Sequence, residues 1–191
     1  MEFDNCRQNA IRDIRVLNQH ILDIAVNYRL PERVNPMAEW SEPVIGSRVN
    51  PVASFEIIIP EHLIQLLSTR SRHATPREWC AGLYGEVIGR STRIRRVVPM
   101  QNIARSPGFF QVAIPALKRA AAELTLPLVG FYHSHASTLR LSTPDLAAMR
   151  KLPVAWLVGV AATESFFLSA MIRRDDCCEL AAIVVEERFG C

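Results

Sequence analysis

Residues 131–145 have the sequence FYHSHASTLRLSTPD and carry the strongest structural and chemical signal in the chain. The apolar residues that lead into this segment predict a buried strand over residues 128–133, and His133 and His135 lie at its end. Alternate residues of a strand point to the same side, so both imidazoles can contact one metal ion. One histidine on a strand is more often a buried structural residue, but two on the same side favour a metal site.

The end of the same segment predicts a third ligand. Pro144 suits the first turn of a helix, which we expect over residues 144–151, and Ser142 or Thr143 can cap it. Asp145, at the start of this helix, can reach back across the loop to the histidines. Two histidines and one carboxylate leave a tetrahedral zinc ion with an open position for water, which is the arrangement of a catalytic site.

A zinc hydrolase also needs a group that accepts a proton from water and passes it to the leaving amine. Residues 76–85, PREWCAGLYG, place Glu78 between a loop and an apolar strand. A glutamate considered alone is more often a surface carboxylate, so the role of Glu78 depends on the motif around it.

Together, P-x-E-x-C followed by a small-residue and leucine strand, HSH, and S-x-x-D resemble the JAMM metalloproteases, also called MPN-plus or JAB domains. The resemblance covers roughly residues 54–186. It implies a zinc isopeptidase that cuts after the C-terminal glycine of ubiquitin or of a ubiquitin-like protein.

The resemblance also implies a role for five residues. His133, His135 and Asp145 match the ligands of one catalytic Zn²⁺ ion, and Glu78 matches the general base. Ser142 matches a serine that helps to hold the oxyanion of the tetrahedral intermediate.

Three positions depart from the family pattern. The loop between the second histidine and the serine, residues 136–141, has six residues, one fewer than is usual in the family. Ala136 stands where a proline is common, and Ala81 stands where a glycine is usual. Because the S-x-x-D unit is intact, we expect a tighter loop that still brings Asp145 to the metal.

The predicted helices and strands do not alternate strictly, so we expect an α/β (α+β mixed) fold with a central mixed sheet flanked by helices. This agrees with the MPN/JAB, cytidine-deaminase-like fold that the resemblance implies. Helices are predicted from Pro60 and over residues 115–124 and 144–151. Strands are predicted over residues 55–59, 82–88, 92–98, 109–113, 128–133, 154–161, 166–172 and 180–185.

The first 53 residues differ from the remainder. Apolar residues recur at intervals of three or four from Ile11 to Tyr28, which predicts one apolar helix face. Prolines then interrupt residues 31–51 and predict an irregular linker. We expect an N-terminal helix and linker over residues 1–53, which cap the core or dock a partner, and the metalloprotease domain over residues 54–191.

Composition and charge limit the partners and the cellular location that we expect. The net charge is only +3 and the arginines are scattered, so no nucleic-acid partner is predicted. The longest uncharged apolar run, residues 152–163, is about half of what a membrane-spanning helix needs. The N-terminus lacks a secretory pattern, and five cysteines without a CxxC motif suit reduced thiols, so we expect a cytoplasmic protein without a membrane partner.

The short connections after Asp145 sharpen the expected substrate. A short link around residues 163–165 joins two predicted strands, which leaves no room for the insertions with which linkage-selective eukaryotic members grip a second ubiquitin. The chain is similar to compact bacterial members, some of which are encoded beside a ubiquitin-like protein and its activating and conjugating enzymes in antiphage defence systems. We therefore expect the tail of a ubiquitin-like protein as substrate, and such enzymes as further partners.

Other functions remain open at this point. The protein can instead trim a sulphur-carrier protein to expose its Gly-Gly tail, or serve as a non-catalytic adaptor whose N-terminal helix is the working part. Two histidines and a carboxylate also form the facial triad of non-haem iron oxygenases, although Glu78 has no role in that chemistry.

Overall fold

The computed structural model describes residues 55–74, 77–104, 110–174 and 177–187. The helix and linker predicted over residues 1–53 lie outside the described residues. Eight strands and three helices are present in the described part: β1 (Glu56–Pro60), α1 (Glu61–Ala74), β2 (Cys80–Ile88), β3 (Ser91–Met100), α2 (Ile114–Glu123), β4 (Leu128–His135), α3 (Thr143–Lys151), β5 (Ala155–Ala161), β6 (Phe166–Arg174), β7 (Cys177–Leu180) and β8 (Ala182–Glu186).

The eight strands form one mixed sheet in the order β7-β6-β5-β4-β2-β3-β1-β8. The pairs β4–β5, β1–β3 and β1–β8 are parallel, and the remaining neighbours are antiparallel. A mixed sheet with few helices confirms the predicted fold class. The strand that carries both histidines, β4, lies in the interior of the sheet between β2 and β5.

The two faces of the sheet are covered by different helices. Helix α1 begins at Glu61, one residue later than predicted, because Pro60 ends β1. The helix buries Leu63, Leu67 and Ser71, which are spaced four residues apart on one side. Its apolar side packs with Ile57, Ile59, Leu83, Ile94, Tyr132 and Leu157. The opposite face packs against α2 and α3 through Tyr84, Leu117, Ala120, Phe131, Met149 and Trp156. No described helix is long and apolar enough to cross a membrane.

The prediction of a single strand over residues 180–185 is wrong. The chain forms β7 and β8 instead, separated by Ala181, whose N–H donates to the carbonyl of Ala170 on β6. The next N–H, of Ala182, donates to the carbonyl of Phe55 beside β1. The chain changes pairing partner at this point, and an uninterrupted apolar sequence carries no local signal of such a change.

The prediction of a strand over residues 109–113 is also wrong within the described part of that segment. Residues 110–113 form only an isolated antiparallel bridge, between Val112 and Asn102. The N–H of Gln111 donates to the side chain of Asn102 at 3.1 Å. A side chain therefore takes the place of a second strand, and this segment leads directly into α2.

Candidate metal centre

The alternation of β4 brings two imidazoles together, as the sequence predicts. His133 is completely buried, and its Nε2 lies 2.9 Å from Nε2 of His135. Phe131 lies on the same face of the strand, where it packs beside Trp156 of β5. The two nitrogen atoms therefore meet at the rim of the core between the sheet and the α2–α3 layer.

Asp145 approaches the histidines because the start of α3 holds its side chain. Ser142 is the N-cap residue, and its N–H and hydroxyl donate to Asp145 Oδ2 at 2.7 and 2.6 Å. In return, the Asp145 N–H donates to Ser142 Oγ at 3.3 Å, which completes a capping box. Oδ2 then lies 3.4 Å from His133 Nε2 and 3.6 Å from His135 Nε2, so the six-residue loop does bring the carboxylate to both rings.

The three side-chain atoms fit a divalent metal ion. Zinc bonds of about 2.0–2.1 Å in a tetrahedral arrangement separate neighbouring ligand atoms by about 3.3 Å. The distances of 2.9, 3.4 and 3.6 Å among the two Nε2 atoms and Oδ2 lie around this value. In addition, His135 Nδ1 donates to the carbonyl of Thr138 at 2.9 Å, which leaves the lone pair of the neutral ring on Nε2, facing the cluster.

Glu78 lies beside this group. Its Oε1 is 3.8 Å from His135 Nε2, and ligand atoms of Glu78, His133 and His135 all lie within 4.8 Å of one another. These three side chains are thus close enough to hold a metal ion. The tighter distances of Asp145 to the two rings favour Asp145 as the third ligand and leave the Glu78 carboxylate beside the three ligand atoms.

The ionisation of the four side chains follows from burial and mutual charge. Burial opposes protonation of His135, but the adjacent carboxylates of Asp145 and Glu78 raise the pKa of this ring overall in the metal-free protein. Burial raises the pKa of Glu78 to about 7, with a further rise from the charge of Asp145 and an opposing effect of His135. Burial lowers the pKa of His133, so this ring is neutral and able to act as a ligand. Burial alone would raise the pKa of Asp145, but the adjacent rings of His133 and His135 and the hydrogen bonds from Ser142 hold it well below its usual range.

Ser134, between the two histidines, fixes the Glu78 segment on β4. Its Oγ accepts from the N–H of Trp79 at 2.8 Å, and its own N–H donates to the carbonyl of Trp79 at 2.9 Å. Both backbone polar groups of Trp79, the residue after Glu78, are therefore hydrogen-bonded to Ser134. The sequence alone did not predict this role, although the hydroxyl in the middle of HSH is a signal that could have suggested it.

Phe110 is a second residue that sequence analysis missed. Its ring stacks on His133 with centroids 4.3 Å apart and planes inclined by 21°, and it also contacts Trp156 at 5.7 Å. No sequence signal identified Phe110, because the contact joins segments that are distant along the chain. Among the described residues, His133 Nδ1 is a buried atom without a hydrogen-bond partner.

Comparisons with known proteins agree with this architecture. A family model described as "Prokaryotic homologs of the JAB domain" matches residues 60–170, more than half of the chain. The solution structure of a protein from Desulfitobacterium hafniense is similar with a TM-score of 0.61 and 22% identity, covering 69% of this chain and 94% of the other. A solution structure from Salinibacter ruber is similar with a TM-score of 0.52 and 22% identity, covering 69% and 93%. At this identity the likeness establishes the fold, and no curated protein matches the sequence.

Proposed function

The chain belongs to the prokaryotic homologues of the JAB domain, and we propose that it is a zinc-dependent isopeptidase. Its substrate in this proposal is the amide bond after the C-terminal glycine of a ubiquitin-like protein. The observation that carries the proposal is the complete set of four side chains. Three potential ligand atoms lie 2.9–3.6 Å apart, and a buried glutamate lies 3.8 Å from one of them. A non-catalytic adaptor has no need for this buried and electrostatically costly group.

His133, His135 and Asp145 would hold the ion. When bound there, zinc supplies Lewis-acid chemistry, because it acidifies water and polarises the carbonyl of the scissile amide. The hydrogen bond from His135 to the Thr138 carbonyl and the capping box around Asp145 orient two of the three ligands before any ion arrives.

Glu78 acts as the proton carrier. It accepts a proton from the attacking water and donates it to the leaving amine nitrogen, so that the amine departs in its neutral form. A buried carboxylate 3.8 Å from a ligand nitrogen lies close enough to the metal centre to serve both steps.

Ser142 donates a hydrogen bond to the oxyanion of the tetrahedral intermediate in this proposal. Its hydroxyl donates to Asp145 Oδ2 in the structure, as does its N–H. The hydroxyl can therefore turn towards substrate while the N–H still orients the carboxylate.

The short connections around the site support a substrate that is recognised through one modifier alone. Helix α3 ends at Lys151 and β5 begins at Ala155, and β5 ends at Ala161 five residues before β6 begins at Phe166. Neither connection has room for an insertion that would grip a second modifier. We propose that the enzyme recognises the tail of one ubiquitin-like protein, in the setting of a bacterial conjugation or defence system with its activating and conjugating enzymes.

The test is cleavage of ubiquitin-like proteins joined to a reporter through their C-terminal glycine, by peptide and by isopeptide bonds. We expect hydrolysis after the glycine, loss of activity with a zinc chelator, recovery with added Zn²⁺, and one zinc ion per chain. Cleavage of peptide-linked precursors alone would indicate processing of a sulphur-carrier protein. Stoichiometric iron with oxygen uptake, or a folded protein that binds no zinc at the cluster, would contradict the proposal.

A further inference from the structure

The side chain of Asn102 joins three segments around the candidate metal centre. Its Nδ2 donates to the carbonyl of Glu78 at 2.9 Å. Its Oδ1 accepts from the N–H of Ala104 at 3.0 Å and from the N–H of Gln111 at 3.1 Å. One amide group thus uses both its donor and its acceptor to connect the end of β3, the segment before β2 and the segment before α2.

The bond to Glu78 extends the β2–β3 hairpin beyond its last backbone pair. Cys80 is paired with Met100 at the end of the two strands, so Asn102 comes opposite Glu78 when the antiparallel register is continued. At this position a side chain, rather than the backbone, provides the hydrogen bond. The backbone of Glu78 is therefore tied to β3 by Asn102, while Trp79 is tied to β4 by Ser134.

The bonds to Oδ1 control the position of Phe110. The N–H of Gln111 belongs to the peptide bond that follows Phe110, so its hydrogen bond to Asn102 fixes that peptide plane. The N–H of Ile103 also donates to the carbonyl of Gln111 at 2.8 Å. The ring of Phe110 is thereby held against His133, with centroids 4.3 Å apart.

We propose that Asn102 is a positioning residue that sets the Glu78 carboxylate and the His133 ring relative to each other. The hydrogen bond from Nδ2 determines where the Glu78 carboxylate lies. The hydrogen bonds to Oδ1 hold Phe110 and thereby determine the plane of the His133 ring. The catalytic consequence of this inference rests on the proposed function. A displacement of about 1 Å in a catalytic group can reduce the rate by about 100-fold, so a residue that touches neither metal nor substrate can still control turnover.

Two substitutions separate the contribution of the Nδ2 donor from that of the Oδ1 acceptor. Asn102→Ala removes the hydrogen bonds to Glu78, Ala104 and Gln111, and we expect kcat to fall by about 10- to 100-fold with KM and zinc content unchanged. Asn102→Asp keeps the oxygen that accepts from Ala104 and Gln111 but places an oxygen without a proton against the Glu78 carbonyl. We expect kcat to fall in this variant as well, while Phe110 stays in place.

A nuclear magnetic resonance experiment on histidine-labelled protein measures the effect of the Oδ1 hydrogen bonds on the His133 ring without any substrate. Because the ring of His133 stacks on Phe110, we expect its ring protons to be shifted upfield, in the metal-free and in the zinc-loaded protein. We expect Asn102→Ala to reduce this shift and Asn102→Asp to retain it. The matched control is Ser71→Ala, which removes a buried hydrogen bond to Tyr132 on the other side of the sheet and should leave both kcat and the His133 shift unchanged.

Three results would overturn the inference: wild-type kcat and an unchanged His133 shift in Asn102→Ala, wild-type kcat in Asn102→Asp, or an equal fall of kcat in Ser71→Ala. The last would mean that general loosening of the fold, rather than positioning, lowers the rate. If the wild-type protein cleaves no ubiquitin-like fusion, the proposed function fails. The His133 resonances then still decide whether Asn102 positions Phe110.

Discussion

The two faces of β4 differ in whether their buried polar side chains have hydrogen-bond partners. On the side of α1, the Tyr132 hydroxyl lies 2.6 Å from Ser71 Oγ, and Ser134 Oγ accepts from the N–H of Trp79. On the other side, the Nε2 atoms of His133 and His135 face each other at 2.9 Å, and His133 Nδ1 has no hydrogen-bond partner among the described residues. Neighbouring residues of one strand therefore serve different purposes.

This difference indicates how a stable sheet tolerates a site whose buried polar groups cost free energy. Burial of carboxylates and imidazoles without full pairing costs free energy, and such groups persist when their surroundings hold them in place. Here the α1 side supplies paired polar groups and close packing, because the absence of a side chain at Gly159 leaves room for the hydroxyl of Tyr132. Substitutions on the site side should alter chemistry with little loss of stability, and substitutions on the α1 side should do the reverse.

The largest expected effect is that of Glu78→Gln. Loss of the proton carrier should reduce kcat by roughly three orders of magnitude, while zinc content stays at one ion per chain. Because burial raises the pKa of Glu78 to about 7, ionisation of this group destabilises the folded metal-free protein as pH rises from about 4.5 to 7. The neutral variant should therefore unfold at a higher denaturant concentration at pH 8. Wild-type turnover in this variant would show that the base is a different residue.

Asp145→Asn should have the next largest effect, by removing zinc affinity. At a free zinc concentration of 100 times the dissociation constant, binding stabilises the folded wild-type protein by about 2.7 kcal/mol. Thermal unfolding with and without a chelator should reveal this difference in the wild type and none in the variant. Asparagine retains an oxygen that can accept from the Ser142 N–H, so the cap should survive. An equal chelator effect in both proteins would mean that the metal is bound elsewhere.

Tyr132→Phe tests the α1 side. Removal of one buried hydroxyl should lower the free energy of unfolding by about 1 kcal/mol, with kcat and zinc affinity unchanged. Ser71 also donates to the Leu67 carbonyl at 2.7 Å and keeps that partner. The combination with Ser71→Ala should be less destabilising than the two single effects added, because both remove the same bond. A fall in zinc affinity would contradict the separation of the two faces.

The sequence predicted those parts of the site that depend on local geometry. The two-residue period of a strand places His133 and His135 together, and the first turn of a helix accounts for Asp145 through its cap at Ser142. Fold class followed from the same patterns. These signals lie within a few residues of one another.

What the sequence did not predict depends on contacts between distant segments. The hydrogen bonds of Asn102 and the stacking of Phe110 require the register of β2 against β3 and the course of the chain before α2. The same reason explains the two errors in strand prediction. At Ala181 the chain changes pairing partner, and at Gln111 a side chain replaces a strand. Hydrophobic periodicity reports which residues are buried but does not identify what pairs with them.

The expected effect that is smallest at neutral pH concerns the thiol of Cys80, which lies opposite His133 in the sheet. Burial raises the pKa of Cys80 from 9.0 to about 12, with a further rise from the charge of Glu78. The unfolded chain therefore loses this proton first, and stability contributed by the neutral thiol is lost as pH rises from about 9 to 12. At pH 10, one unit above the unfolded pKa, the loss should be about 1.4 kcal/mol, since one pKa unit corresponds to about 1.4 kcal/mol. Denaturant unfolding of wild type and Cys80→Ala at pH 8 and pH 10 should show a steeper fall in the free energy of unfolding for the wild type.

Tyr84, whose pKa is raised to about 12, remains in both proteins and serves as the internal control for general alkaline destabilisation. Equal slopes would mean that burial does not raise the pKa of this thiol, and Cys80 would then contribute no pH-dependent stability on the side of the sheet that carries the site.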